Sequence, residues 1–192
     1  QEYVREGALQ SHGRFEAHLT DAGIDLCLPF RDDPELADDL FLVRPEQMRL
    51  VHRLDHLHQV DDAMELSGYA FVEKVDLATH EQRVEVVLQD ETSGSELVFP
   101  ATTGRDESDP DNPLPEGDDW ADYRPGHFSA RIPLDVFATG PWHLSLRVVV
   151  GGHEVQDLVT KVLRRGPLGH PPALLLPDGA RLLMDWRVAH PV

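Results

Sequence analysis

With 192 residues, 41% of them hydrophobic and 27% charged, the chain has the length and composition of a globular protein that buries a core without staples. Its 35 acidic against 17 basic residues leave a formal charge of −18, a surface that repels nucleic-acid phosphates and anionic lipid alike. The single cysteine, Cys27, excludes a disulfide within the chain, and no window reaches the ~18 apolar residues of a membrane-spanning helix.

The chain opens "QEYVREG", without Met and without the basic-then-apolar signature of a secretion signal, and reads as a segment of a longer polypeptide. "RFEAHLTDAGIDLCLPF" predicts a hairpin around Asp21, Ala22 and Gly23, with Cys27 packing in an apolar run. "DDPELADDLF" predicts a helix of about two turns, with Asp33 as cap and Pro34 as its first residue.

"HRLDHLHQVDD", residues 52–62, holds three histidines and three aspartates in eleven positions. Strict alternation puts His52, Leu54, His56, His58 and Val60 on one face of a strand, ahead of a turn at Asp61-Asp62 and a second strand. His56 and His58 both reach one side, so they are candidate zinc ligands. A catalytic zinc site needs a third protein ligand and a structural site a fourth, and no obvious partner lies nearby. The competing reading is a solvated strand face, and it is favoured.

"RVEVVLQDETSGSELVFPA" predicts a hairpin turning at Ser93-Gly94, with Val84, Val86 and Leu88 inward. Residues 104–126 carry four prolines, three glycines and eight acids with no period, and read as a long surface loop. Asp106, Asp109, Asp111, Asp118 and Asp119 offer oxygen ligands for calcium, although the EF-hand pattern is absent. Trp120 and Tyr123 in the same loop either stack on a sugar ring or pin the loop to the domain.

"HFSARI" alternates Phe128, Ala130 and Ile132 against His127, Ser129 and Arg131, and "PLDVFA" suggests a single turn. "WHLSLRVVV" then alternates from Trp142 to Val150 and meets Gly151-Gly152, the strongest hairpin signal in the chain. The tail turns again at Asp178-Gly179. Asp185, between Met184 and Trp186, is explained by an alternating strand. No phosphate-binding loop, dinucleotide fingerprint, nucleophile elbow or His-Glu-x-x-His run occurs, and no catalytic residue is assigned.

The pattern predicts an all-β protein, an immunoglobulin-like antiparallel β-sandwich over residues 46–165. Residues 1–45 would extend it or end a preceding module, and 166–192 would form a C-terminal hairpin.

The block from Leu66 to Val162 resembles the β-sandwich modules attached to bacterial, actinobacterial-type cell-wall glycosyltransferases and to CDP-glycerol glycerophosphotransferases of teichoic-acid synthesis. The matching positions are Leu66, Gly68, Tyr69, Ala70, Phe71, Asp76, Leu77, Tyr123, Phe128, Trp142 and Leu144. These are packing and turn residues, so the resemblance bears on architecture more than activity. It implies a non-catalytic accessory module without a cofactor. Its partners would be the catalytic domain of the same polypeptide, the polymer or a second copy, on the cytoplasmic side at the membrane face through the parent protein. Composition alone leaves an extracellular setting open. Rival expectations are a stand-alone carbohydrate-binding module acting through Trp120 and Tyr123, and a zinc- or calcium-binding module.

Overall fold

The computed structural model describes residues 16–28, 31, 33–105, 120–137, 140–159 and 173–183. Two four-stranded antiparallel sheets pack face to face. One orders β4 (Leu50–Val60), β5 (Ala63–Val72), β9 (His127–Pro133) and β8 (Thr102–Gly104) as β4-β5-β9-β8. The other orders β11 (His153–Leu158), β10 (Trp142–Val150), β6 (Gln82–Asp90) and β7 (Glu96–Pro100) as β11-β10-β6-β7. The chain passes between the sheets within one run: Ala101 N–H still donates to Val84 O on β6 at 2.9 Å, and Thr102 already pairs with Ser129 on β9.

The alternation read from sequence builds the core. Val84, Val86 and Leu88 from β6, Phe128 and Ile132 from β9, and Leu146, Val148 and Val150 from β10 are all buried between the sheets. Gly151 and Gly152 make the two-residue β10–β11 turn at φ 56° and 84°, the left-handed pair that lets strands reverse without splaying.

On the outer face of the second sheet, Arg147 bonds Gln156 on β11 at 2.9 Å and Glu96 on β7 at 2.6 Å. Its side chain therefore crosses β6, on whose outer face Val87 is only 1% exposed.

Smaller sheets flank the sandwich. β1 (Ala17–Thr20), β2 (Gly23–Leu26) and β3 (Leu42–Val43) form a three-stranded sheet. It rests on the β10–β11 turn, where His153 Nε2 donates to Thr20 O at 2.7 Å. The hairpin β12 (Ala173–Leu175) and β13 (Arg181–Leu183) is held by the Gln59 side-chain amide, which donates to Leu175 O at 3.0 Å and accepts from Leu175 N at 2.8 Å.

Three local expectations are corrected. The helix at 33–41 is only a turn, in which the Asp33 carboxylate accepts from Glu35 N at 2.9 Å, followed by a 3₁₀ turn at Asp38–Leu40. None of the residues in that 3₁₀ turn is buried, and so short a segment without an apolar stripe does not repay helix nucleation. Cys27 is exposed rather than packed, because β2 ends at Leu26. Finally, β4 does not alternate strictly. A bulge between Leu54 and His56 shifts the register, so His52 and Leu54 point inward before it and Leu57 after it. The single turn expected near Leu134 is present as a 3₁₀ turn at Leu134–Val136.

Candidate functional site

The richest cluster of polar contacts ties the end of the acidic loop to the connection between β5 and β6. Asp76, in the Asp-Leu turn of that connection, accepts through Oδ1 from Ala78 N at 3.0 Å and from Asp122 N at 2.8 Å. Leu77 N–H donates to Asp122 O at 3.1 Å. The Asp122 carboxylate in turn accepts from Arg124 Nε and Nη2, both at 2.8 Å, from Arg124 N at 3.0 Å, and from Arg105 Nη2 at 2.8 Å. Arg105 and Arg124 stand near the two ends of the 104–126 stretch, so one carboxylate ties those ends together.

The Arg124 side-chain hydrogen bond is the main reason the Asp122 carboxyl sits below its ordinary value of 3.8. Partial burial opposes the shift, and the Arg124 backbone N–H and the Arg105 and Arg124 charges add to it. A carboxyl lowered in the folded state contributes stability that is complete above the unfolded value and is lost as pH falls through the folded one. The window therefore lies below about pH 4. Because Arg105 and Arg124 are half-exposed, solvent screens the pair. Asp122→Asn is expected to cost about 1 kcal/mol at pH 7 and less at pH 3, read from urea midpoints of both proteins. An equal cost at both pH values would assign the effect to packing instead of charge.

The two aromatics of the loop separate. Tyr123 is fully buried, its ring stacked on Phe71 with centroids 4.1 Å apart, and its hydroxyl accepts from Lys74 N at 3.1 Å. Of the two readings of this residue, sugar contact or loop pin, the burial of the ring fits the pin. Trp120 is partly buried against the core, and its indole N–H is buried with no hydrogen-bond partner among the described residues. The two rings do not form an exposed platform.

The histidines of residues 52–62 also separate. His52 is buried at 4% exposure, whereas His56 and His58 lie on the solvent side after the bulge. His58 Nε2 is 3.6 Å from Glu65 Oε2. Among the described residues no group of three His, Cys, Asp or Glu is placed to hold a metal ion. Asp106, Asp109, Asp111, Asp118, Asp119 and Asp185 lie outside the described residues.

Sequence reasoning did not single out Asp76, Asp122, Arg105 and Arg124 as one unit. Asp76 entered only as a position of the family resemblance, whereas Tyr123 was also singled out with Trp120 as a sugar contact or a loop pin, and "DWADY", with three apolar residues among acids, was the available sign that the loop end returns to the core.

The architecture is an all-β sandwich. No family model matches the sequence and no curated protein matches it. Among solved structures, the fold is similar to S. aureus TarS 217–571, with a TM-score of 0.50 and 10% identity over 91% of this chain and 43% of that one. A second S. aureus TarS structure aligns at a TM-score of 0.47 and 10% identity over 93% of this chain and 30% of that one. At such identity the likeness is one of fold. The chain spans less than half the length of the TarS chains it matches. Among the described residues, no helix is long and apolar enough to cross a membrane.

Proposed function

We propose that the chain is a non-catalytic, immunoglobulin-like β-sandwich module of a cell-wall polymer glycosyltransferase or glycerophosphotransferase. It positions or oligomerises the catalytic domain, or contacts the polymer. The observation that carries the reading is the shared fold with a fragment of TarS, a teichoic-acid glycosyltransferase. The packing motif from Leu66 to Phe71, the Asp76-Leu77 turn and the buried Tyr123 support it, because the module resemblance rests on those positions and they build the sandwich and its loop anchor. The partners of this reading are the catalytic domain of the same polypeptide, the polymer and a second copy, and its setting is the cytoplasmic membrane face.

The test is the native size of the polypeptide. An antibody against this chain, applied to an extract of the source organism on a denaturing gel, is expected to reveal a band far above 21.6 kDa. The parent protein should then transfer a sugar or glycerol phosphate to a cell-wall polymer. A band at 21.6 kDa would defeat the reading.

A further inference from the structure

We propose that the cleft beside the loop anchor binds one neutral, hydroxyl-rich unit, a single sugar or short polyol, through unsatisfied hydrogen-bond acceptors. The cleft has a volume of about 350 Å³, at the small end of ligand sites and enough for one ring. One wall is the β5–β6 connection with the first residue of β6, residues 77–82; the other is Thr103, Gly104 and Pro125.

The wall chemistry selects the ligand. His80 Nδ1 lies 2.9 Å from Thr79 Oγ1 and 3.1 Å from the Asp76 carbonyl, to which that hydroxyl donates at 3.1 Å; because the carbonyl can only accept, the Nδ1–H tautomer of the neutral ring fits both neighbours. Nε2 is then an acceptor with no partner among the described residues. Gln82 is 7% exposed, and its Nε2 donates to Ala70 O at 2.7 Å across the two sheets, so the amide cannot flip without losing that bond. Its Oε1 is buried with no donor among the described residues, on a residue that lines the cleft. Buried acceptors in native proteins are nearly always satisfied, so this wall is poised to yield toward an entering donor.

Glu81 is the charged side chain of the lining, and among the described residues no Lys or Arg lines the cleft, so phosphates and carboxylates are disfavoured. Arg105 and Arg124, the nearby cations of the loop anchor, are both engaged by Asp122. Among the described residues no Trp, Tyr or Phe lines the cleft to cage an ammonium group. Leu77, Ala78 and Pro125 instead give an apolar patch suited to the C–H face of a sugar, with the Thr103 side chain beside it. Acceptors, a hydroxyl and an apolar patch, without a cation, match a neutral polyol.

This inference goes beyond the module reading and does not rest on it, and a titration of the isolated chain fails or succeeds independently of the native-size experiment. Isotope-labelled full chain is titrated with N-acetylglucosamine, glucose and ribitol, and with inorganic phosphate and ethanolamine as the anionic and cationic alternatives. At least one of the three polyols is expected to shift the backbone amides of Thr79–Gln82, Thr103 and Gly104 saturably, and the two ions to leave them in place. His80→Ala is expected to weaken that binding about tenfold, the effect of one hydrogen bond to a ligand. Gln82→Leu should do the same, provided its β10–β11 amides keep their native positions. Shifts caused by phosphate or ethanolamine, shifts confined to other residues, no saturable shift with any polyol, or unchanged binding by His80→Ala would each overturn the proposal.

Discussion

Tyr123→Ala is expected to destabilise the protein by about 4 kcal/mol, in the range for truncating a buried aromatic. In a chain of this size that is a fall in melting temperature of roughly 8–16 °C. The magnitude follows from the position of the ring. Tyr123 is completely buried although it closes a stretch so rich in acids and prolines, and its stacking partner Phe71 is equally inaccessible. Phe71 alternates with Ala70 and Val72 along β5, and with Tyr123 it belongs to the continuous buried cluster of the domain, so the pair welds the loop end to the sheet. Removing the ring opens a cavity against Phe71 and frees the Lys74 N–H that its hydroxyl accepts. Tyr123→Phe keeps the stack and loses the hydroxyl's bond from Lys74 N, so its cost should be about 1 kcal/mol. Thermal and urea unfolding of both variants check the pair of values. If Tyr123→Ala kept parental stability while lowering affinity for a glycan, the ring would be a contact residue, contrary to its burial.

What the sequence revealed and what it concealed divide along physical lines. Period-two alternation is a property of the strand itself, so Val84, Val86, Leu88 and the Trp142–Val150 run identified their inward faces, and Gly151-Gly152 and Asp178-Gly179 identified their turns. The helix expected at 33–41 had a cap and a Pro at the right places, but caps only refine a helix that packing already stabilises, and no apolar stripe was there to pack. The loop anchor escaped because its members come from separate parts of the chain, Asp76, Arg105 and Asp122, and a carboxylate in so acidic a sequence carries no mark of its partners. The cleft escaped for the same reason, since its two walls are separated by more than twenty residues. On β4 the alternation itself failed, and the cause lies on the neighbouring strand.

That cause is Gly68, and Gly68→Ala is expected to cost about 3 kcal/mol, the upper part of the range for overpacking, because the obstacle is backbone and cannot swing aside. A Cβ on Gly68 would lie 2.0 Å from the Arg53 carbonyl oxygen and 3.0 Å from Leu54 Cα. Gly68 opposes Leu54 in the register, and the next paired residue on β4 is His56, so Asp55 is the extra residue of the bulge. The bulge presses the β4 backbone onto β5 at the one position without a side chain. In the same step it resets the faces of β4, sending Leu57 into the core and His56 and His58 to solvent. Glycine and bulge are therefore one device, and their effects should not add. Deleting Asp55 straightens β4 while leaving Leu54 and Leu57 inward, since His56 then takes the outward place between them. On that background Gly68→Ala should cost less than on the parent, by at least about 0.5 kcal/mol in a double-mutant cycle read from urea midpoints. Strictly additive costs would mean that the close approach at Gly68 does not depend on the bulge, and that the histidines of this strand owe their exposure to something other than Gly68 and Asp55.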